Sequence, residues 1–309
     1  MTSPPRSNFA AVILPFIIFT GIWGSTWIVI RDQLGTVPPQ WSVTYRFIIA
    51  AAAMAVVARV KGEKLSFDSG AVKAVLFLGV FQFFVNFNAV YLAERHITSG
   101  LVATVFALLV IPNTLLGWAF LGQRPSHRFI WGSLAAVAGM SLLFVHELQE
   151  HPGRSAAILT GIGLTLVGMT GASVANVFQA RDKVRAYPLF ALLAWSMGMG
   201  ALIDAAFAFL FAGPPVIEYR IGYWAGVLYL ALFASALAFS LYFPVVRRIG
   251  PGKAAYSSVL VPIIAMGFST ALEGYRWTPL AVAGAVLALG GMLGALSRSR
   301  SLVTAPAAD

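Results

Sequence analysis

Residues 97–144 and 250–296 repeat one another, and an internal repeat limits the possible folds more than any local motif does. In the first copy an apolar run carries Pro112 and ends near Gln123, and a second run carries Gly132 and Gly139. In the second copy Pro262 stands 150 residues after Pro112, and Glu273 stands 150 after Gln123. Gly284 and Gly291 follow Gly132 and Gly139 by 152, which places two extra residues in the linker. Both runs are apolar, so the repeated unit reads as membrane-spanning.

Charge supports this reading. Only 10% of the 309 residues are charged and 59% are hydrophobic, whereas a soluble domain carries about 25% charged residues. So few charges cannot cover a water-facing surface, and an all-α polytopic membrane protein is expected. At about 20 residues per span, the apolar runs predict helices over 10–30, 40–58, 71–91, 97–120, 127–145, 157–179, 188–211, 221–242, 251–272 and 278–296. The first run follows Arg6 as a signal sequence would, but it is long and no small-residue cleavage site follows. It is expected to remain as the first helix. Ten helices divide into five-helix units over 7–146 and 156–297, with 298–309 as a disordered cytoplasmic tail. Five is odd, so the second unit enters the membrane inverted, the arrangement of many secondary transporters.

The net charge of +10 is topological information. With the N-terminus in the cytoplasm, fifteen Lys and Arg residues fall on cytoplasmic segments and five on the opposite face. This positive-inside bias places both termini in the cytoplasm and removes the case for nucleic acid. There is no cysteine, which excludes disulfides and thiolate-bound metals. His96, His127, His146 and His151 fall in or beside loops. Glu147 and Glu150 beside His146 and His151 read as a solvated outer loop. No phosphate-binding loop is present, so direct ATP drive is not expected, nor is a cofactor, a metal or an enzymatic activity.

Polar groups within spans point toward the protein interior, because lipid cannot satisfy them. Gln82 and Asn86, four apart, share a face of the third helix, with Asn88 out of register. Ser173, Asn176 and Gln179 share a side of the sixth, Ser235 and Tyr242 align on the eighth, and Ser258 lies near the start of the ninth. Trp23 follows Gly21 in the first. The candidate lining is therefore Trp23, Gln82, Asn86, Asn176, Gln179, Ser235, Tyr242 and Ser258: amides, hydroxyls and aromatic surface with almost no fixed charge. Such a set suits an amphipathic solute, zwitterionic or neutral, better than a bare metal ion. Each residue also has a structural reading, since membrane helices use these groups to bond one another.

Arg46 lies six residues into the second helix and is expected to snorkel outward. Asp204 lies well inside the seventh and is a candidate for proton coupling. Pro112 and Pro262 each remove a helix hydrogen bond and are candidate hinges. Gly290 and Gly294, with Gly132, Gly139, Gly284 and Gly291, form narrow faces for helix packing or for a homodimer.

The chain resembles the drug/metabolite transporter superfamily, specifically bacterial ten-helix permeases built from two EamA domains. The residues that carry the resemblance are Gly21-Ile22-Trp23-Gly24-Ser25-Thr26-Trp27, Tyr45-Arg46-Phe47 with Ala50, Ala103 through Pro112, Leu121-Gly122-Gln123 before Gly132 and Gly139, and in the second copy Ala255 through Pro262, Leu272-Glu273, and Gly284 and Gly291. The family usually carries glutamate where this chain has Gln123, whereas Glu273 keeps the usual type. The resemblance implies an inner-membrane permease for small metabolites or amino acids, often an exporter, with Trp23 and the fourth and ninth helices near the path. A passive channel is the alternative, and a lipid-modifying membrane enzyme is a more distant one, which would need clustered acids or histidines at the interface.

Overall fold

The computed structural model describes residues 6–66, 68–249, 254 and 257–296; the expected tail over 298–309 lies outside them. The described residues contain no strand. They form α1 (Arg6–Asp32), α2 (Pro39–Val60), α3 (Ser69–Ala93), α4 (Ser99–Leu121), α5 (His127–Glu150), α6 (Ser155–Gln179), α7 (Leu189–Ala212), α8 (Ile221–Ile249), α9 (Ser257–Leu272) and α10 (Pro279–Leu296). The first eight are long and apolar enough to cross a membrane, and α9 and α10 are shorter apolar helices. This is a multi-pass membrane protein.

Helix ends follow local chemistry. Asp68 accepts a hydrogen bond from the Ala71 N–H at 2.7 Å and caps α3, and Ser126 does the same for α5 through Phe129 at 3.2 Å. Each satisfies one of the first-turn donors that a helix leaves open. Proline occupies the first position of α2 and of α10, where its missing N–H has no partner to lose.

The connections gather at two ends of the bundle. At the end holding the start of α1, Trp195 donates to the Leu65 carbonyl, the Ala191 N–H donates to Glu63, and Arg247 reaches the Arg185 carbonyl. At the far end Arg220 pairs with Asp32 at 2.9 Å, Trp41 donates to the Gly213 carbonyl, and Arg154 donates to the His96 carbonyl.

Packing crosses between the two halves of the sequence. α2 lies along α7 and α5 along α10, while α1 packs on α8 and α9, and α6 on α3 and α4. The α5–α10 seam is the closest. A side chain at Gly132 would strike the backbone of Gly291 and Ala295, and one at Gly139 would strike that of Gly284 and Ala288. In lipid, apolar surface gains little by leaving the solvent, so helices associate by short-range dispersion where small residues let backbones touch. The working face of α10 is Gly284 and Gly291, seven apart, as their spacing in the sequence suggested, whereas a side chain at Gly290 would meet open space.

Two further differences from the sequence reading matter. α5 continues to Glu150, past the helix end expected at residue 145. His146 and Glu147 are buried helical residues, with His146 hydrogen-bonded to Thr278 at 3.0 Å, and not part of a solvated loop. Second, α3 and α8 each carry a π-helical segment, Gly79–Val85 and Leu230–Leu237. Such insertions are rare and concentrate at functional sites.

Candidate functional site

A cavity with about 840 Å³ of empty space, its mouth included, lies among α1, α2, α3, α4, α6, α8 and α9. Six of the eight residues proposed from sequence border it: Trp23, Gln82, Asn86, Asn176, Tyr242 and Ser258. Trp27, Phe87, Phe106 and Phe239 add aromatic wall, and Arg46 adds a cation.

Local structure explains how each is presented. Gln82 lies within the π segment of α3 and Asn86 directly follows it. α6 approaches this stretch closely because Gly171 faces the Phe81 carbonyl and Gly168 the Asn86 carbonyl. Asn176, eight residues beyond Gly168, is brought to the same cavity. The side-chain oxygens Gln82 Oε1 and Asn86 Oδ1 are buried without a hydrogen-bond partner among the described residues. A buried acceptor left open is costly, which marks them as contact points for a donor.

Trp23 is pinned by its Nε1 donating to the Ala234 carbonyl at 3.1 Å, within the π segment of α8. Its ring meets Tyr242 edge-on at 4.9 Å and Phe239 at 5.5 Å, the offset geometry aromatic rings prefer. Ser258 donates to the Ala107 carbonyl at 3.1 Å. Ala107 opens the 3-10 turn Ala107–Leu109 that precedes Pro112, where the proline ring and missing N–H loosen the α-helical ladder. Pro262 sits inside α9 four residues after Ser258. The two proline-bearing helices thus meet at the cavity wall.

Two proposed residues lie elsewhere. Gln179, the last residue of α6, is fully buried at the bundle end that holds the start of α1 and accepts from Arg247 at 3.4 Å. Ser235 is buried behind the wall, donating to the Leu230 carbonyl and accepting from Arg46 Nε, each at 2.9 Å. Its hydroxyl reaches the carbonyl five residues back, within the π segment Leu230–Leu237. Asp204 is also off the cavity: it is fully buried, and Oδ1 accepts from the Asn88 amide. Among the described residues it makes no ion pair with Arg46.

Arg46 corrects the sequence reading most. It does not snorkel; it is 2% exposed and lines the cavity. Its guanidinium lies 4.5 Å from the Phe87 ring centroid and 5.5 Å from that of Phe47, and Nη1 donates to the Tyr91 hydroxyl at 3.5 Å. The signal available in sequence was its neighbour pattern, a cation flanked by Tyr45 and Phe47.

Beyond the cavity toward the far end, Tyr91 donates to Gln33 at 3.1 Å. Glu94, fully buried at the end of α3, has both carboxyl oxygens without a partner among the described residues. Burial pushes its carboxyl well up from the usual range, and the Glu273 carboxylate adds to this against the opposing pull of Arg31 and Arg46. Arg31 donates to the Glu94 carbonyl and pairs with Glu273 at 3.6 Å. Glu273 in turn accepts from the Ser99 N–H at 3.2 Å and from the hydroxyls of Ser99 and Ser269 at 2.5 Å. A carboxylate at the first turn of α4 also meets the positive end of the helix dipole.

Known proteins resemble this chain in fold and in sequence. One solved crystal structure superposes with a TM-score of 0.66 at 18% identity, covering 93% of this chain and 96% of its own, which is a likeness of fold. Protein PagO of Salmonella typhimurium is 21% identical over 269 residues, 86% of each chain. The uncharacterized inner membrane transporter YedA of Escherichia coli is 25% identical over 256 residues, 82% of this chain and 80% of its own. The uncharacterized transporter YoaV of Bacillus subtilis is 22% identical over 257 residues, 83% of this chain and 87% of its own. The family model of EamA-like transporters matches twice, over residues 10–145 and 159–297. With nearly its whole length matched, this chain belongs to the EamA-like transporter family.

Proposed function

We propose that this membrane transporter is a secondary exporter that moves small organic metabolites or amino acids by alternating access across the bacterial inner membrane, with both termini in the cytoplasm. The observation that carries the reading is the cavity itself: an amphipathic chamber whose walls come from α1 to α4 in one half and α6, α8 and α9 in the other. Two inverted five-helix repeats account for its position at their junction. The paired π segments of α3 and α8 and the double family match support that division. Arg31, Glu94, Ser99 and Glu273 form the closed gate of the far end, and the helices bearing Pro112 and Pro262 are the moving walls. Trp23, Asn86 and Asn176 hold the solute, and a homodimer is compatible with the exposed face at Gly290.

The test is uptake of a radiolabelled solute panel by proteoliposomes. Asn86→Leu and Asn176→Leu should each cut transport strongly while the protein stays folded. Normal transport by both would remove the cavity from the path. For coupling, Asp204→Asn should abolish uptake driven by a pH gradient and spare solute exchange; unchanged gradient-driven uptake would assign Asp204 a structural role. Single cysteines at positions 61 and 183 should resist an impermeant thiol reagent in intact cells, and labelling there would reverse the orientation.

A further inference from the structure

Arg46 is a cation held in a membrane interior with no carboxylate within ion-pair distance among the described residues. Burying an unpaired charge is expensive, and proteins normally supply a counter-charge. The protein groups that touch this one are neutral. Ser235 accepts from Nε and Tyr91 from Nη1, and Phe87 and Phe47 offer ring faces. Two of five N–H donors are accounted for in this way. The nearest carboxylate along the network is Glu94, three residues beyond Tyr91, and its oxygens bond to nothing described. The side chain nevertheless borders the cavity. Its position is fixed from behind by Ser235, whose own hydroxyl is committed to the Leu230 carbonyl.

We infer that Arg46 is the anchor for a carboxylate, so that the cavity takes a small organic acid with one carboxylate on an apolar or aromatic body. The guanidinium fork matches a carboxylate in plane and in spacing, and the solute completes the ion pair that the protein leaves half-built. Trp23, Trp27, Phe106 and Phe239 cover the apolar body. Gln82 Oε1 and Asn86 Oδ1, both open acceptors, favour an N–H donor on the same solute without requiring one. This inference rests on the cavity being the solute site and narrows it: a neutral solute of the same shape is the wrong substrate.

Equilibrium dialysis of the purified full chain decides the matter with three probes: 3-phenylpropanoate, its primary amide 3-phenylpropanamide, and L-phenylalanine. The two acids should bind the unmodified protein about 10- to 100-fold more tightly than the amide, the range of a charge-assisted hydrogen-bonded contact. Arg46→Gln should bring the acid-to-amide ratio close to one, and Arg46→Lys should keep a preference for the acids. Equal binding of acid and amide by the unmodified protein overturns the inference, as does failure of both acids to bind at millimolar concentration; neither result depends on a variant that folds. An unchanged ratio in Arg46→Gln overturns it too. Uptake by proteoliposomes separates this from the transporter reading. Acids that bind without crossing leave the anchor and remove transport, whereas neutral solutes that cross while acids fail to bind do the reverse.

Discussion

α4 and α9 end in the same way and yet do different things. Each stops at a glycine in the left-handed region, Gly122 at φ 70° and Gly274 at φ 71°, a conformation that suits glycine because it has no Cβ. Each closes with the same six-residue bond, Gln123 N–H to the Gly117 carbonyl and Tyr275 N–H to the Ser269 carbonyl, both at 3.2 Å. Laid on one another, these motifs match Leu121 with Glu273 and Gln123 with Tyr275. Gln123 has already left its helix and is exposed. Glu273 is still in the last turn, its N–H bonded to the Ser269 carbonyl at 3.0 Å, and its side chain is 8% exposed. A two-residue displacement relative to the stop signal separates a surface amide from a carboxylate that ties together α1, α4 and α9.

If that contrast is what closes the far end, replacing the acid with its counterpart should open it. Glu273→Leu removes three hydrogen bonds and the Arg31 pair, and is expected to weaken closure by about 3 kcal/mol or more. A cysteine placed at Ile30, on the cavity wall, should then react with an impermeant thiol reagent from the far side, and transport should fall steeply. Unaltered labelling would break the comparison.

Glu94 sharpens it through pH. Its folded-state value lies above the ordinary carboxyl value near 4.3, so the stability tied to its neutral form is fully present below about pH 4.3 and is lost as pH rises through the raised value. The detergent-solubilised protein should accordingly unfold at lower temperature as pH is raised across that window, and Glu94→Gln should flatten the slope. A smaller effect is expected from Ser99→Ala, which removes one donor to Glu273 and keeps the backbone one: about 1 kcal/mol, read as a modest fall in thermal stability. Gln123→Leu should change stability by less than about 0.5 kcal/mol. A large loss there would show that the first ending also holds the fold.

The comparison also explains what the sequence could and could not reveal. Hydropathy located most helix ends to within a few residues because lipid acts uniformly along a span, but it stopped α5 at 145 and α8 at 242, short of Glu150 and Ile249. Gln82 and Asn86 were legible as one face, and Ser258 and Tyr242 as cavity neighbours, because polar groups turn from lipid. Aligning Gln123 with Glu273 put the extra residues in the linker, whereas the matched glycine stops place them between Pro262 and Gly274. Ser235 was assigned to the wall by counting α-helical turns, but it lies in a π segment whose ladder shifts the register. Arg46 was judged by depth alone, and depth does not say whether a cation turns to water or to a cavity. The aromatic wall of Phe87, Phe106 and Phe239 gave no signal, since phenylalanine is equally at home facing lipid.

The glycine seam between α5 and α10 bears on how the protein is made. The residues facing Gly132 and Gly139 are supplied by α10, which leaves the ribosome after more than a hundred further residues. Until then α5 shows a grooved backbone surface to lipid or to the insertion machinery, and α2 likewise waits for α7. Biogenesis therefore cannot finish the first half before starting the second. A chain halted before residue 279 would hold all of the residues that line its cavity and still leave α5 without its packing partner.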